Sequence, residues 1–199
     1  MVVPDGALAS LVLTSLAIMG SPGPATISLT AAAAAYGVRR SLGYLAGIIV
    51  GTAAVLVAVA TGVTAALLSV PALRPLLIGV AAGYILWLAY HLATAAPLSD
   101  QSAGDAPSLL GGAFLGAANP KAWVAIAAVF ATARLAQDAA FDAVAKAAVL
   151  SVMIVLINTL WLLAGASLAP LLRHPRRSRI VNGALAAALV GATALALIH

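Results

Sequence analysis

Two kinds of residue are missing or scarce in this chain, and each shortage narrows what the protein can be. Cysteine is absent, which excludes disulfides, thiolate metal sites and thiol–disulfide exchange. Charged residues make up 8% of the 199 positions, against about 25% in an ordinary soluble domain. That is too little polar sequence to cover a globule in water. Hydrophobic residues reach 64%, and the lipid bilayer is the solvent that suits them. The acidic residues are Asp5, Asp100, Asp105, Asp138 and Asp142, all expected in loops or near the N-terminus. No apolar run therefore holds the paired carboxylates that intramembrane hydrolysis needs. His91, His174 and His199 fall near run ends or in loops, so neither a nucleophile–base arrangement nor a metal cluster is legible. No enzymatic centre, cofactor or metal is expected. The net charge of +5 comes from short basic loops and not from a nucleic-acid-binding block. The expected partner is the bilayer, not nucleic acid.

What is present is a series of long apolar runs. A spanning helix needs about 20 such residues, and runs near that length occupy 7–36, 41–68, 75–96, 108–133, 147–172 and 180–198. Arg39 and Arg40 close the first run, and Pro71 and Arg74 mark the turn after the second. The stretch 97–107 is the longest polar one. Arg134, Asp138 and Asp142 are assigned to the loop before the fifth run, and Arg173, His174, Arg176, Arg177 and Arg179 to a basic loop before the sixth. The expected fold is an all-α integral membrane domain over 1–199. It would have six transmembrane helices in two inverted three-helix repeats, about 7–96 and 108–198. Met1 to Gly6 carries no Lys or Arg and the first run exceeds a signal core, so no cleaved signal peptide is expected.

The first and fourth runs are broken near their middles. The first contains Gly20-Ser21-Pro22-Gly23-Pro24 and the fourth Gly116-Ala117-Ala118-Asn119-Pro120. Each puts glycine four residues before proline. A three-span unit repeated in series inserts upside down the second time, and interrupted segments at corresponding positions mark transporters built from such repeats. Whether the two broken runs cross fully or re-enter is left open. Proline removes an N–H and clashes with the carbonyl four residues earlier, so about a turn should unwind. Unpaired backbone at membrane depth is tolerated only against protein or a water-filled cavity. The second half-helices should start at Pro24 and Pro120, since proline suits a first helical position. Their N-termini would favour an anion such as a carboxylate.

Lys121 is the charged residue expected well inside a run, with roughly a dozen mostly apolar residues on either side. A mid-bilayer lysine costs about 2.5–3.5 kcal/mol on insertion scales and is a functional candidate by default. Asn119 and Asn158 are further polar groups at depth; an interhelical hydrogen bond is the expected role for Asn158, with ligand contact as the alternative. Gly43, Gly47 and Gly51 share one face of the second run, and Gly79 and Gly83 one face of the third, a spacing that lets helix backbones approach. Trp87, Trp123 and Trp161 read as packing or interface groups.

Ser21-Pro22-Gly23-Pro24, the glycines at 37, 43, 47 and 51, Gly83-Tyr84-Ile85-Leu86-Trp87-Leu88, Asn119-Pro120-Lys121-Ala122 and Asn182-Gly183 together resemble the LysE/RhtB family of amino-acid exporters. The resemblance runs over nearly the whole chain. It departs at Ala25, where many members carry Asp or Asn, and at 129–133, which lacks a proline often found there. It implies a plasma-membrane carrier that exports amino acids or close derivatives, driven by the proton gradient, and a homo-oligomer.

On that reading the substrate site forms where the two breaks meet, from Pro22, Gly23, Pro24, Asn119, Pro120, Lys121 and Asn158. The half-helix N-termini and Lys121 would hold a carboxylate; open carbonyls from Gly20 to Gly23, with Asn158, would hold an ammonium. With no carboxylate at depth, a neutral amino acid or similar small zwitterion is expected over lysine or arginine. Lys121 is either the proton carrier or a permanently charged group in a substrate exchanger. The competing class is a non-transporting membrane assembly subunit, whose role would survive mutation of Lys121 or Pro24 if the protein still inserts.

Orientation follows from the basic residues. Arg39, Arg40, Arg173, Arg176, Arg177 and Arg179 fall on one side of a six-span arrangement, and Arg74, Arg134 and Lys146 on the other. The richer side is assigned to the cytoplasm, which puts both termini outside. Tags at either end should then be readable only from outside the cell; a C-terminal tag reached only from the cytoplasm overturns this orientation.

Overall fold

A computed structural model describes residues 6–62, 106–132, 134–172 and 175–198, with single positions between 79 and 94. Among the described residues the chain is all helical: α1 (Ala7–Ile18), α2 (Pro24–Tyr36), α3 (Val38–Ala60), α4 (Leu109–Ala118), α5 (Pro120–Thr132), α6 (Ala139–Leu172) and α7 (Pro175–Ile198). The prolines decide where the broken runs resume. Pro24 and Pro120 are the first residues of α2 and α5, positions where a missing N–H has no helical partner to disappoint. Five residues, 19–23, separate α1 from α2, whereas α4 and α5 meet at Asn119 alone.

Two helices, Val38–Ala60 and Ala139–Ser167, are long and apolar enough to cross a membrane, and α4 with α5 makes a third candidate, bent by 56°. The expected third span lies mostly outside the described residues, as do Trp87, Pro71 and Arg74. Large apolar side chains such as Leu13, Val50, Val57, Val124, Val152 and Leu160 point outward, the surface that hydrocarbon accepts.

Helix α2 is the centre of the described structure. Every residue from Pro24 to Ala34 is buried, and the helix packs on α3, α6 and α7. Its composition explains this: alanine, serine and threonine dominate, so neighbouring backbones come close. Membrane helices associate by such packing and by interhelical hydrogen bonds, since lipid tails are as apolar as leucine. Ser28 Oγ and Tyr44 Oη of α3 are 2.5 Å apart, and the Thr30 hydroxyl is shared between Thr26 O of its own helix at 2.9 Å and Trp161 O of α6 at 3.2 Å. Gly165 fits directly over the Thr30 backbone. Gly37 ends α2 with φ of 79°, a conformation glycine adopts freely, and α3 starts at the next residue.

The stripe on α3 has a definite partner. Gly47 and Gly51 lie against the α4 backbone at Leu109, Ala113 and Ala117, while Gly112 and Gly116 of α4 lie against Tyr44, Ile48 and Thr52. The two helices form the most extensive contact in the described structure. Gly43 is different: it is exposed, and a Cβ there meets nothing within 4 Å.

Two loop assignments change. Helix α6 begins at Ala139, so Asp142 and Lys146 are helical, not loop residues. Lys146 is buried and pairs with Asp142 at 2.8 Å, four residues apart on one helix face. Its ammonium also donates to Phe130 O of α5 at 2.9 Å, and Asp142 accepts from the N–H groups of Leu135 at 2.5 Å and Ala136 at 3.1 Å. These partners let both charges sit at the α5–α6 junction, so Lys121 is not alone as a charge within a helix. Likewise α7 begins at Pro175, and Arg176, Arg177 and Arg179 belong to its first turns.

The α3–α4 contact gives a paired test. Gly51→Ala pushes a Cβ into the Ala113–Ala117 backbone and should destabilise the protein by about 1–3 kcal/mol, the usual cost of overpacking. Gly43→Ala should leave the melting temperature in detergent unchanged or slightly raised. Equal melting temperatures for the two variants would contradict the packing described.

Candidate functional site

The α1–α2 break can be followed carbonyl by carbonyl. In an unbroken helix Ile18 O would accept from residue 22 and Gly20 O from residue 24, but both are prolines without an N–H. Each carbonyl has another donor instead. Ser21 Oγ donates to Ile18 O at 2.8 Å, and Trp161 Nε1 of α6 donates to Gly20 O at 3.2 Å. The carbonyls of Ser21 and Pro22 fall in the unwound stretch, and the Lys121 ammonium of α5 donates to both, at 3.3 Å in the case of Pro22. Carbonyls that have lost their helical N–H take partners of this kind. Here the second half of the chain supplies them to the first.

Gly23 then caps α2. Its N–H donates to Thr26 Oγ1 at 2.9 Å, and the Thr26 hydroxyl donates to Gly23 O at 3.0 Å. Gly23 also makes room for Lys121: a Cβ there would lie 3.1 Å from Nζ and 3.3 Å from Cε.

The α4–α5 break is served by its own neighbours. Lys121 N–H donates to Asn119 Oδ1 at 3.2 Å, so it does not serve Ala117 O, its partner in a continuous helix. Trp123 Nε1 takes that carbonyl at 2.7 Å.

A cavity of about 50 Å³ lies between the two breaks. Gly23, Ala25 and Thr26 line it from α2 and its cap, Asn119, Lys121 and Ala122 from the second break, Thr52 from α3 and Asn158 from α6. Ala125, Ile126, Ile154 and Ile157 give it an apolar side, and no carboxylate is among its described lining residues. Of the residues singled out from sequence, Gly23, Asn119, Lys121 and Asn158 share this wall, Pro22 contributes the carbonyl held by Lys121, and Pro24 and Pro120 start the two helices.

Three expectations need correction. Asn158 makes no interhelical bond through its amide nitrogen in the described contacts; Nδ2 donates to Ile154 O of its own helix at 2.8 Å. The carbonyls of Gly20, Ser21 and Pro22 are not open, because Trp161 and Lys121 hold them. Trp123 and Trp161 are donors to broken backbone rather than packing groups alone. Thr26 and Thr52 were not singled out. Thr26 carried a usable signal, since a threonine three residues after a candidate cap can close a capping box; nothing local marks Thr52.

A family model described as LysE type translocator matches residues 16–199. The chain is 41% identical over 88 residues to the cysteine/O-acetylserine efflux proteins of Salmonella choleraesuis and Salmonella typhimurium, and 40% identical over 88 residues to that of Salmonella typhi. Each match covers 44% of this chain and 44% of the relative, less than half the length of the curated proteins concerned. No solved structure matches. The family match extends over both helix breaks and the cavity between them, and the chain belongs to the LysE type translocator family, whose members are transporters rather than enzymes.

Proposed function

We propose that this protein is a six-span carrier of the plasma membrane that exports small neutral amino acids or close derivatives by alternating access. Its site is the cavity between the breaks of two inverted three-helix repeats. The observation that carries the reading is the contact of Lys121, from the second break, with the backbone of the first. It puts a cation, unwound carbonyls and two half-helix starts beside one cavity, the arrangement that suits a zwitterion. Lys121 and the α2 and α5 N-termini serve the carboxylate, and the Ser21 and Pro22 carbonyls, which Lys121 holds in this structure, are the acceptors within reach of the ammonium. Thr26, Thr52 and Asn158 add neutral polar contacts on the wall.

The lining selects against long cationic side chains. A lysine or arginine substrate would bring a second positive charge to a wall that offers Ala122, Ala125, Ile126 and Ile154, and a buried charge without a partner is costly. The Salmonella relatives, named for efflux of cysteine and O-acetylserine, point to the same class of small, uncharged side chains. The proton gradient supplies the drive, both termini face outward, and the carrier works as a homo-oligomer.

Efflux from vesicles or cells loaded with a panel of amino acids tests the reading. Small neutral members should leave faster than from cells without the protein, lysine and arginine should not, and a protonophore should abolish the difference. Lys121→Ala should lower efflux by about tenfold or more, since hydrogen bonds to charged groups are worth about 1.5–3 kcal/mol. Strong lysine efflux with no neutral amino-acid efflux refutes the proposed substrate class. Unchanged efflux by Lys121→Ala removes the site from this place.

A further inference from the structure

The geometry points to Lys121 as the residue that makes the carrier require a zwitterion, by occupying with its own ammonium the carbonyl acceptors that a substrate ammonium would use. This rests on the transport reading above and specifies how its site recognises substrate. Lys121 reaches across from α5 and donates to Ser21 O and Pro22 O. These are the carbonyls that lack a helical partner because the helix is interrupted between α1 and α2, and so they are the acceptors a bound ammonium would seek. The neighbouring acceptors are engaged as well: Gly20 O by Trp161, and Gly23 O by Ile27 N at 2.9 Å and by the Thr26 hydroxyl. An incoming ammonium therefore finds its acceptors in use by a lysine.

A carboxylate on the same molecule resolves this. It offers the Lys121 ammonium a stronger, charge-assisted partner than a pair of carbonyls, beside the start of α2 where negative charge is favoured. As Lys121 moves to the carboxylate, the Ser21 and Pro22 carbonyls take the substrate's ammonium. Each donor exchanges one acceptor for another, no carbonyl is left unpaired, and the net charge of the site does not change, because the incoming molecule is neutral overall. A plain amine cannot do this: it offers Lys121 nothing and would bring a second positive charge beside the first. A plain carboxylate draws Lys121 away but brings no donor to replace it at the half-buried Ser21 and exposed Pro22 carbonyls, so the charge-assisted bonds given up there are not recovered.

The consequence is a change of ligand class on removing the lysine charge. Lys121→Met keeps the unbranched stem, one atom shorter and without charge, and frees the carbonyls, so an amine without a carboxylate becomes an acceptable ligand. The probes are L-cysteine, cysteamine, which lacks the carboxylate, and 3-mercaptopropionate, which lacks the ammonium. Binding is measured by isothermal calorimetry on the full-length protein in nanodiscs. Wild type should bind L-cysteine at least about tenfold more tightly than either analogue, the equivalent of about 1.4 kcal/mol. In Lys121→Met that preference over cysteamine should fall to within about threefold, about 0.7 kcal/mol on the same scale, chiefly through tighter cysteamine binding. Lys121→Arg keeps a charged donor and should keep the wild-type preference, and it serves if Lys121→Met does not fold. Loss of discrimination against cysteamine in Lys121→Arg would then overturn the exchange. Wild-type binding of L-cysteine with no gain of cysteamine by a folded Lys121→Met overturns the exchange and leaves the transport reading standing. Failure of wild type to bind any member of the neutral panel, L-cysteine included, overturns both.

Discussion

The hydrogen bonds from Lys121 to the carbonyls of Ser21 and Pro22 are the interaction on which the rest of the described structure depends. They answer two needs at once. An ammonium packed among helices needs acceptors, and backbone that has left its helix needs donors. Neither would be stable alone. Gly23 is part of the same solution, since any side chain there would run into the lysine stem. The two prolines create the demand and the lysine meets it from about 100 positions further along the chain, which ties the start of α5 to the first break.

The packing around this point follows from it. Because α2 starts inside the protein at Pro24 and stays buried to Ala34, its neighbours must approach it on all sides, and it is built of small residues that permit this. The tight α3–α4 contact, with glycines on both helices, brings the second break alongside the first. The cavity is the space that remains where the two discontinuities cannot pack as continuous helices would. Its charge and one amide come from the second break through Lys121 and Asn119, Thr26, Thr52 and Asn158 add polar groups from α2, α3 and α6, and Ala125, Ile126, Ile154 and Ile157 supply the apolar side.

Much of this was legible in the sequence, and the reasons are specific. Proline acts through covalent geometry, so Pro24 and Pro120 mark helix starts whatever surrounds them, and Lys121 stands out because a charge in an apolar run has few alternatives. Membership of the translocator family could be read from the same motifs. Asp142 and Lys146 fall at an apolar boundary that reads as a loop, yet they are helical, with Lys146 buried against Phe130 O and Asp142 holding the N–H groups of Leu135 and Ala136, partners a one-dimensional pattern does not reveal. The carbonyls of the first break were expected to be open for the same reason. That they are held by Trp161 and Lys121 is a tertiary fact, created by residues 99 to 141 positions away whose approach no local spacing encodes. Asn158 turned inward to its own helix, since Ile154 O, four residues back, offers a local acceptor that competes with any interhelical one.

The two breaks also differ in a way that bears on how such a carrier can move. The second break is held by its own segment: Asn119 takes the Lys121 N–H and Trp123 takes Ala117 O. A rigid-body motion of α4 with α5 keeps those bonds. The first break is held in part from outside, by Lys121 on α5 and Trp161 on α6, and any motion that draws α5 or α6 away strips donors from its carbonyls. A ligand lowers the free energy of a conformational change only by binding one state better than the other. A substrate ammonium that takes over the Ser21 and Pro22 carbonyls has that differential effect, because it is worth most where Lys121 has withdrawn. In the proposed cycle, then, the molecule that satisfies the first break is also the one that permits the second half of the protein to move relative to it, so recognition and transport rest on the same two carbonyls.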